Sequence, residues 1–153
     1  MNYDIYNSSI TYFPLLPLSK TASFERKVLD IRQMPAQVLF PHWDDEFEFI
    51  YVLSGMMEFR VRQKAFLVSS GEGFFLNTGE IHSACVYQSY DCRFVIYRIC
   101  PSVLFQTEDN PLYQKYIKPL VDHPSFGFLT FVPKVPWQKY ILEMIRKMND
   151  ICD

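Results

Sequence analysis

Glycine is scarce in this 153-residue chain, which has five, and neither an internal repeat nor a low-complexity tract occurs. No apolar run approaches the roughly 20 residues that span a bilayer, which excludes a transmembrane helix. Lysine and arginine number 15 against 17 acidic residues, and this formal charge of −2 argues against direct nucleic-acid binding by the chain. Aromatic residues make up 17% of the sequence, which indicates a well-packed aromatic core or pocket and excludes disorder over most of the chain.

Cysteine is present without any paired spacing. Because no CxxC motif or disulfide framework occurs, we interpret the four cysteines as reduced, mostly buried thiols rather than as a Cys85–Cys92 bridge. The four are Cys85, Cys92, Cys100 and Cys152. The first residues lack the cationic start and apolar run of a secretory signal. The sequence therefore predicts a cytoplasmic protein.

Three segments differ in pattern. Residues 1–20 contain aromatics and two prolines without periodicity, which predicts an extended arm that packs on something. Residues 21–107 contain short alternating or apolar runs separated by turn residues, which is typical of an all-β sandwich or barrel. The runs cover 47–53, 57–62, 66–68, 74–76, 83–86 and 93–99. Residues 108–153 change character and predict helices.

The C-terminal segment shows helix signals. Asn110-Pro111 is typical of a helix start, and Pro119 is expected to interrupt this short helix. Pro136 is placed to start a second helix, along which apolar residues recur on one stripe. The stripe comprises Trp137, Tyr140, Ile141, Met144, Ile145, Met148 and Ile151. This helix is still in phase at Asp153, so we expect the chain to be a segment of a longer protein.

Four polar side chains are the candidate functional site. His42, Asp44 and Glu48 share the parity that points side chains to one face of a strand, which in a small barrel is the interior. Glycines at 55, 71 and 79 suit the turns that bring His82 in from another strand. Two imidazoles and two carboxylates have the chemistry of a divalent metal site. We nevertheless favour a metal-free polar pocket that binds a ligand, with the same four residues as ligands if a metal binds.

The spacing of these residues resembles the two-part signature of the cupins, which are small β-barrels. His42, Glu48, Gly55, Gly71, Gly79 and His82 occupy matching positions. Asp44 replaces the second histidine of that signature, Asn77 replaces its proline and Val86 its final asparagine. This resemblance implies a double-stranded β-helix, and the loss of one imidazole weakens its metal-binding half.

An aromatic arm, one cupin barrel with an altered metal motif, and trailing helices together resemble the N-terminal domain of AraC-type transcriptional regulators. The resemblance implies a barrel that binds a small molecule, often a sugar, an arm that closes over it, and a homodimer. The helix would dimerise through Trp137, Ile141, Met144, Ile145 and Met148. DNA would be bound by a helix-turn-helix domain absent from this chain.

Two other functions stay open from the sequence. One is a small metal-dependent cupin enzyme, such as a dioxygenase or sugar isomerase. The other is a cupin with only a structural role. No GxSxG, phosphate-binding loop or Cys–His arrangement supports acyl or phosphoryl transfer, and we expect no enzymatic activity.

Overall fold

Eight strands and two α-helices occur in the residues that the computed structural model describes, namely 24–88, 90–104, 107, 109–123 and 125–152. The strands are β1 (Phe24–Asp30), β2 (Val38–His42), β3 (Phe47–Val61), β4 (Lys64–Ser69), β5 (Gly73–Leu76), β6 (His82–Val86), β7 (Cys92–Ile99) and β8 (Phe128–Phe131). The helices are α1 (Lys118–Val121) and α2 (Pro136–Cys152). The predicted arm, residues 1–20, lies outside the described part of the chain.

The strands form two antiparallel walls that share β3. One wall has the order β1-β7-β3-β5-β8. In the other wall, β6 lies between β2 and the second half of β3, and β4 pairs on the other side of β3. This is the cupin barrel that the sequence predicts, with strands close to the predicted runs.

Strand β3 passes from one wall to the other at Gly55. This glycine has φ +79°, and a Cβ added to it would lie 1.6 Å from the carbonyl oxygen of Asp91. Only glycine tolerates both the left-handed backbone and this close approach. The bend lets one 15-residue strand pair with four others, β4, β5, β6 and β7.

Two apolar clusters lie on opposite faces of the first wall. The inner cluster fills the barrel with side chains that alternate along the strands, such as Ile50, Val52 and Phe94, together with Phe59 from the second wall. The outer cluster, which includes Tyr51, Val95 and Tyr97, packs under α2. Because both faces of β7 are covered, its central residues 94–97 are apolar on both faces.

Helix α2 begins at Pro136, as predicted, but its apolar residues divide between two faces. Leu142 and Ile145 are buried against the outer cluster, and Ile141 packs beside them. Trp137, Tyr140, Met148 and Ile151 are exposed, with 84% of Ile151 open to solvent. Ile141 and Ile145, predicted to lie on a dimerisation stripe, therefore contact the sheet of their own chain, because α2 must cover that face of the wall.

The segment after residue 107 contains a strand as well as helices. Asn110 accepts a hydrogen bond from the Leu112 amide, as a helix start should, and a π-helical turn at Tyr113–Ile117 leads into α1. The backbone amide of Lys118 donates to the carbonyl of Tyr113, which is a π-helical hydrogen bond. The helical segment therefore continues through Pro119 with a changed hydrogen-bond pattern and does not end there. Strand β8 then joins β5, which corrects the purely helical prediction for 108–153.

All four cysteines are free, as predicted, but the prediction that they are mostly buried is wrong: Cys92 is buried, Cys85 and Cys100 are half-buried and Cys152 is exposed. None of the helices in the described ranges is both long and apolar enough to cross a membrane.

A buried His–Asp–Glu cluster

The four predicted site residues meet inside the barrel. His42 ends β2 and His82 begins β6, and the two residues are paired in register. Glu48 lies near the start of β3, and Asp44 lies in the connection between β2 and β3. One ligand atom from each of the four lies within 4.8 Å of the others. All four residues are buried, Glu48 to the extent that 1% of it is exposed.

Backbone contacts fix the orientation of both imidazoles. Nδ1 of His42 lies 2.7 Å from the Phe40 carbonyl oxygen, and Nδ1 of His82 lies 2.8 Å from that of Glu80. A carbonyl oxygen only accepts, so each Nδ1 carries the hydrogen. In a neutral ring, Nε2 then presents its lone pair to the cluster. This is the tautomer of a histidine that binds a metal through Nε2.

The polar atoms that face the centre of the cluster lack well-aligned hydrogen bonds. Nε2 of His82 is 3.1 Å from Oε2 of Glu48, and Nε2 of His42 is 3.5 Å from Oδ2 of Asp44, both outside hydrogen-bond alignment. Both carboxylate oxygens of Glu48 likewise lack an aligned hydrogen-bond partner. Buried polar atoms without partners are costly, so the cluster is suited to a ligand that supplies them.

Burial and mutual contact shift the protonation of the cluster. Burial lowers the pKa of His42 to about 4, and the nearby His82 acts in the same direction. Burial also raises the pKa of Asp44 to about 7, with repulsion from Glu48 as the second cause. For the His82–Glu48 pair, burial opposes ionisation of both groups, but their attraction outweighs it: the pKa of His82 is raised and that of Glu48 is lowered. Burial thus favours the neutral form of His42, whereas the attraction between His82 and Glu48 favours the charged forms of that pair.

Arg98 is a fifth member of the site, and sequence reasoning missed it. It lies on β7 opposite Glu48, is 1% exposed, and donates from Nη1 to Oδ1 of Asp44 over 3.2 Å. This bond turns the other Asp44 oxygen toward the cluster. Arg98 shares the strand parity of the inward-facing Phe94 and Ile96. A charged residue on that parity is a signal only once the interior face of β7 is known, and the sequence, apolar on both parities from 94 to 97, does not show that face.

The turn before His82 ties the site to the C-terminal segment. Asn77, in place of the cupin proline, donates from Nδ2 to the carbonyls of Leu120 at 2.6 Å and Phe126 at 2.9 Å. Its backbone amide donates to Gly127. The amide of Gly79 donates to the Asp44 carbonyl, which anchors the same turn on the site.

The cluster does not include Trp43, His123 or Val86. Trp43 is 53% exposed, on the opposite parity to His42. His123 is exposed, and its Nδ1 accepts a hydrogen bond from the Ser125 amide. Val86, in the position of the cupin asparagine, pairs with Met57 on β3 and contributes no polar atom.

Fold and site together define a ligand-binding barrel of the cupin type, and residues 29–148 match the family described as the AraC-like ligand binding domain. Because this match covers most of the chain, the chain belongs to that family. The prediction of an effector-binding domain of the AraC type is confirmed.

The chain is also similar to individual known proteins. Over 110 residues the chain is 28% identical to the "Uncharacterized HTH-type transcriptional regulator YdeC" of Bacillus subtilis (strain 168), covering 72% of this chain and 37% of that protein. ToxT from Vibrio cholerae has a similar fold, with a TM-score of 0.51 and 13% identity over 72% of this chain and 42% of that chain. A cupin-2 domain protein from Shewanella frigidimarina matches 54% of this chain and 76% of its own, with a TM-score of 0.43 and 15% identity.

The cupin fold implies a metal ion, and the cluster fits one. Two imidazole nitrogens and two carboxylates are a donor set that Zn²⁺, Mn²⁺ or Fe²⁺ accepts. The tautomers are suitable, and the atoms that face the centre lack other hydrogen-bond partners. Asp44 would supply an oxygen to such an ion where the cupin signature supplies a nitrogen.

Proposed function

We propose that this chain senses a small molecule that binds at His42, Asp44, Glu48 and His82, and that binding is coupled to DNA binding elsewhere in a longer regulator. The observation that carries the proposal is the set of buried, converging polar atoms without aligned hydrogen bonds, in a domain of the AraC-like ligand-binding family. The chain spans 37% of the length of its regulator relative, which leaves room for a separate DNA-binding part.

The coupling follows from linkage. An effector shifts the regulator between states only by the difference in its affinity for them. The Asn77 turn, which contacts Asp44 on one side and Leu120 and Phe126 on the other, is a physical connection from the site to the helical segment. We place the regulatory output on the C-terminal side of the barrel for this reason.

A divalent metal ion is the first ligand to test at the cluster. The sequence favours a metal-free pocket, whereas the Nε2 orientations and the unsatisfied carboxylate oxygens support a metal. When bound, such an ion supplies a Lewis acid that attracts an oxygen of the effector. His42 and His82 would hold it through Nε2, and Asp44 and Glu48 through oxygen.

Metal analysis of the protein purified without chelator tests this directly. We expect close to one equivalent of a transition metal in the unaltered chain and its loss in His82→Ala. His123→Ala is the matched control, because it removes an exposed imidazole far from the cluster and should leave the metal content unchanged. Equal and negligible metal in all three proteins would restore the metal-free pocket and leave effector binding to be measured separately.

We also propose that two copies associate through the exposed face of α2. Its exposed members are large apolar residues, Trp137, Tyr140, Met148 and Ile151, with Met144 half-buried between them. A contiguous apolar face of this kind is typical of an interaction site. The remaining side of the helix carries charged residues, including Lys139 and Arg146.

Sedimentation equilibrium tests the dimer. The double change Met144→Asp and Met148→Asp should give monomers, because it places two charges in the interface. Lys139→Asp, on the charged side, should leave the dimer intact. A dimer that survives the double change would place the interface on another surface.

The proposal excludes catalysis by this chain. A metal-dependent cupin enzyme remains the competing function, favoured by the same donor set. Turnover of an added substrate that requires the metal would support the enzyme, whereas saturable binding without turnover supports the sensor.

A further inference from the structure

An ion pair between Arg62 and Glu80 holds the turn that leads into His82. Nε of Arg62 donates to Oε2 of Glu80 over 2.7 Å, and Nη2 donates to Oε1 over 2.5 Å, so the guanidinium fork holds both carboxylate oxygens. Glu80 is 6% exposed, whereas 58% of the Arg62 side chain is open to solvent. The pair therefore consists of a buried carboxylate and an arginine that reaches it from the surface.

The fold makes room for the Glu80 carboxylate at Gly127. A Cβ added to Gly127 would lie 2.6 Å from Cδ of Glu80, so any side chain at this position would displace the carboxylate. A buried ion pair is weak evidence for a role in stability, because apolar residues of similar volume often serve as well. The place of this pair, next to His82, points to another role.

Arg62 also holds the residue that follows Glu80. Its backbone amide donates to the Ile81 carbonyl over 2.9 Å. Arg62 lies between β3 and β4 with φ +53°, in the left-handed region that non-glycine residues seldom adopt. Such a backbone persists where the surrounding contacts hold it. Arg62 thus fixes Glu80 by its side chain and Ile81 by its backbone, which are the two residues immediately before His82.

We infer that Arg62 and Glu80 are positioning residues of the candidate site, which fix the imidazole of His82 through the Glu80 carbonyl oxygen. That oxygen lies 2.8 Å from Nδ1 of His82 and accepts its hydrogen. Movement of the Glu80 backbone would free the ring to rotate and take Nε2 away from Oε2 of Glu48, which is 3.1 Å from it. The inference rests on the proposed function for its consequence, because it states what keeps His82 in a binding orientation.

Nuclear magnetic resonance of the full 153-residue chain measures this contact directly. The Nδ1 protons of His82 and His42 are both held by backbone carbonyl oxygens, of Glu80 and Phe40, so their exchange with water is compared in one sample. Glu80→Gln keeps the shape of the side chain and leaves no buried charge unpaired. It should accelerate exchange of the His82 proton roughly tenfold, the factor that corresponds to about one hydrogen bond, and leave the His42 proton unchanged.

A double variant shows whether the two residues act as a pair. Arg62→Gln alone should accelerate the His82 proton as Glu80→Gln does, and the double variant should give no further acceleration, because both changes remove the same contact. Glu58→Gln is the matched control. Glu58 also pairs with an arginine, Arg60, whose side chain is 59% exposed, and its loss should leave both histidine protons unchanged.

Titration with Co²⁺ connects this contact to binding. Glu80→Gln should weaken the affinity for Co²⁺ at least about tenfold, since a group that orients a metal-binding histidine typically has an effect of this size. Failure of the unaltered chain to bind Co²⁺ counts against a metal in the proposed function, and the His82 proton then decides the positioning role alone.

A purely structural ion pair would give a different result. It would lower the melting temperature and accelerate both histidine protons together. Equal acceleration at His42 and His82, acceleration at His82 below about threefold in Glu80→Gln, or Co²⁺ affinity that is the same in Glu80→Gln and the unaltered chain overturns the positioning role and leaves the sensor intact. Selective acceleration at His82 above that limit supports it.

Discussion

Truncation of Asn77 should be among the most damaging single polar substitutions in the chain. The side chain is 5% exposed and makes three hydrogen bonds, donating to Leu120 and Phe126 and accepting from the Thr78 amide. Each such bond contributes about 1 kcal/mol net. Asn77→Ala should therefore lower the free energy of unfolding by about 3 kcal/mol, a large part of the total of a small domain.

Urea unfolding monitored by tryptophan fluorescence and by circular dichroism measures this loss. Hydrogen exchange locates it: the amides of β8 and of the connection from α1 should lose protection, because Asn77 holds this segment through both its side chain and its backbone amide. Asn77→Asp should be no better than alanine at pH 7, since it sets a carboxylate against two carbonyl oxygens.

Asn110 offers a control for Asn77, because it also makes a side-chain hydrogen bond but is not held between the barrel and the C-terminal segment. Asn110→Ala removes a helix cap at the surface and should cost about 1 kcal/mol. If Asn77→Ala costs less than this cap, or if the exchange rates of β8 do not change, the reasoning that Asn77 fastens the C-terminal segment to the barrel is wrong.

Three further predictions follow from other sites. Burial raises the pKa of Cys92 to about 12. A thiol reagent at pH 8 should therefore label the exposed Cys152 quickly and Cys92 only after unfolding. Early labelling of Cys92 would contradict its burial. Gly55→Ala should cost more than about 3 kcal/mol by thermal unfolding because its Cβ meets Asp91, whereas Gly71→Ala, also at positive φ but with no atom within 4 Å, should cost about 1 kcal/mol. Asn149→Ala, which removes the 2.6 Å hydrogen bond from Arg26, should cost about 1–2 kcal/mol, and Asp150→Ala, in an exposed pair with Arg146, less than about 0.5 kcal/mol; equal losses would refute the difference.

The barrel and the four site residues were predictable from the sequence because both depend on local rules. Strand parity predicted that His42, Asp44 and Glu48 share a face, but the three lie on β2, in the β2–β3 connection and on β3, so closure of the barrel brings them together. The glycine spacing correctly predicted that His82 enters from another strand. The same parity failed to identify Arg98, since residues 94–97 are apolar on both faces of β7 and give no sign of which face is the interior.

The C-terminal segment was harder to predict because tertiary contacts determine it. Strand β8 is four residues long, and it pairs with β5 where Asn77 fastens the preceding turn. The apolar stripe correctly predicted that α2 is a helix. Its division into a buried and an exposed face depends on the outer cluster, which the sequence of the helix alone does not contain.

The contacts of Arg98 constrain when, during synthesis, the buried cluster can form. Its partner Glu25 lies 73 residues earlier in the chain, and Asp44 lies 54 residues earlier. Strand β1 is translated early but cannot pair until β7 is made, because β7 is its only strand partner among the described residues. The ribosome must therefore synthesise almost the entire barrel before Asp44 can pair with Arg98, so a nascent chain stopped short of β7 lacks this contact of the buried cluster.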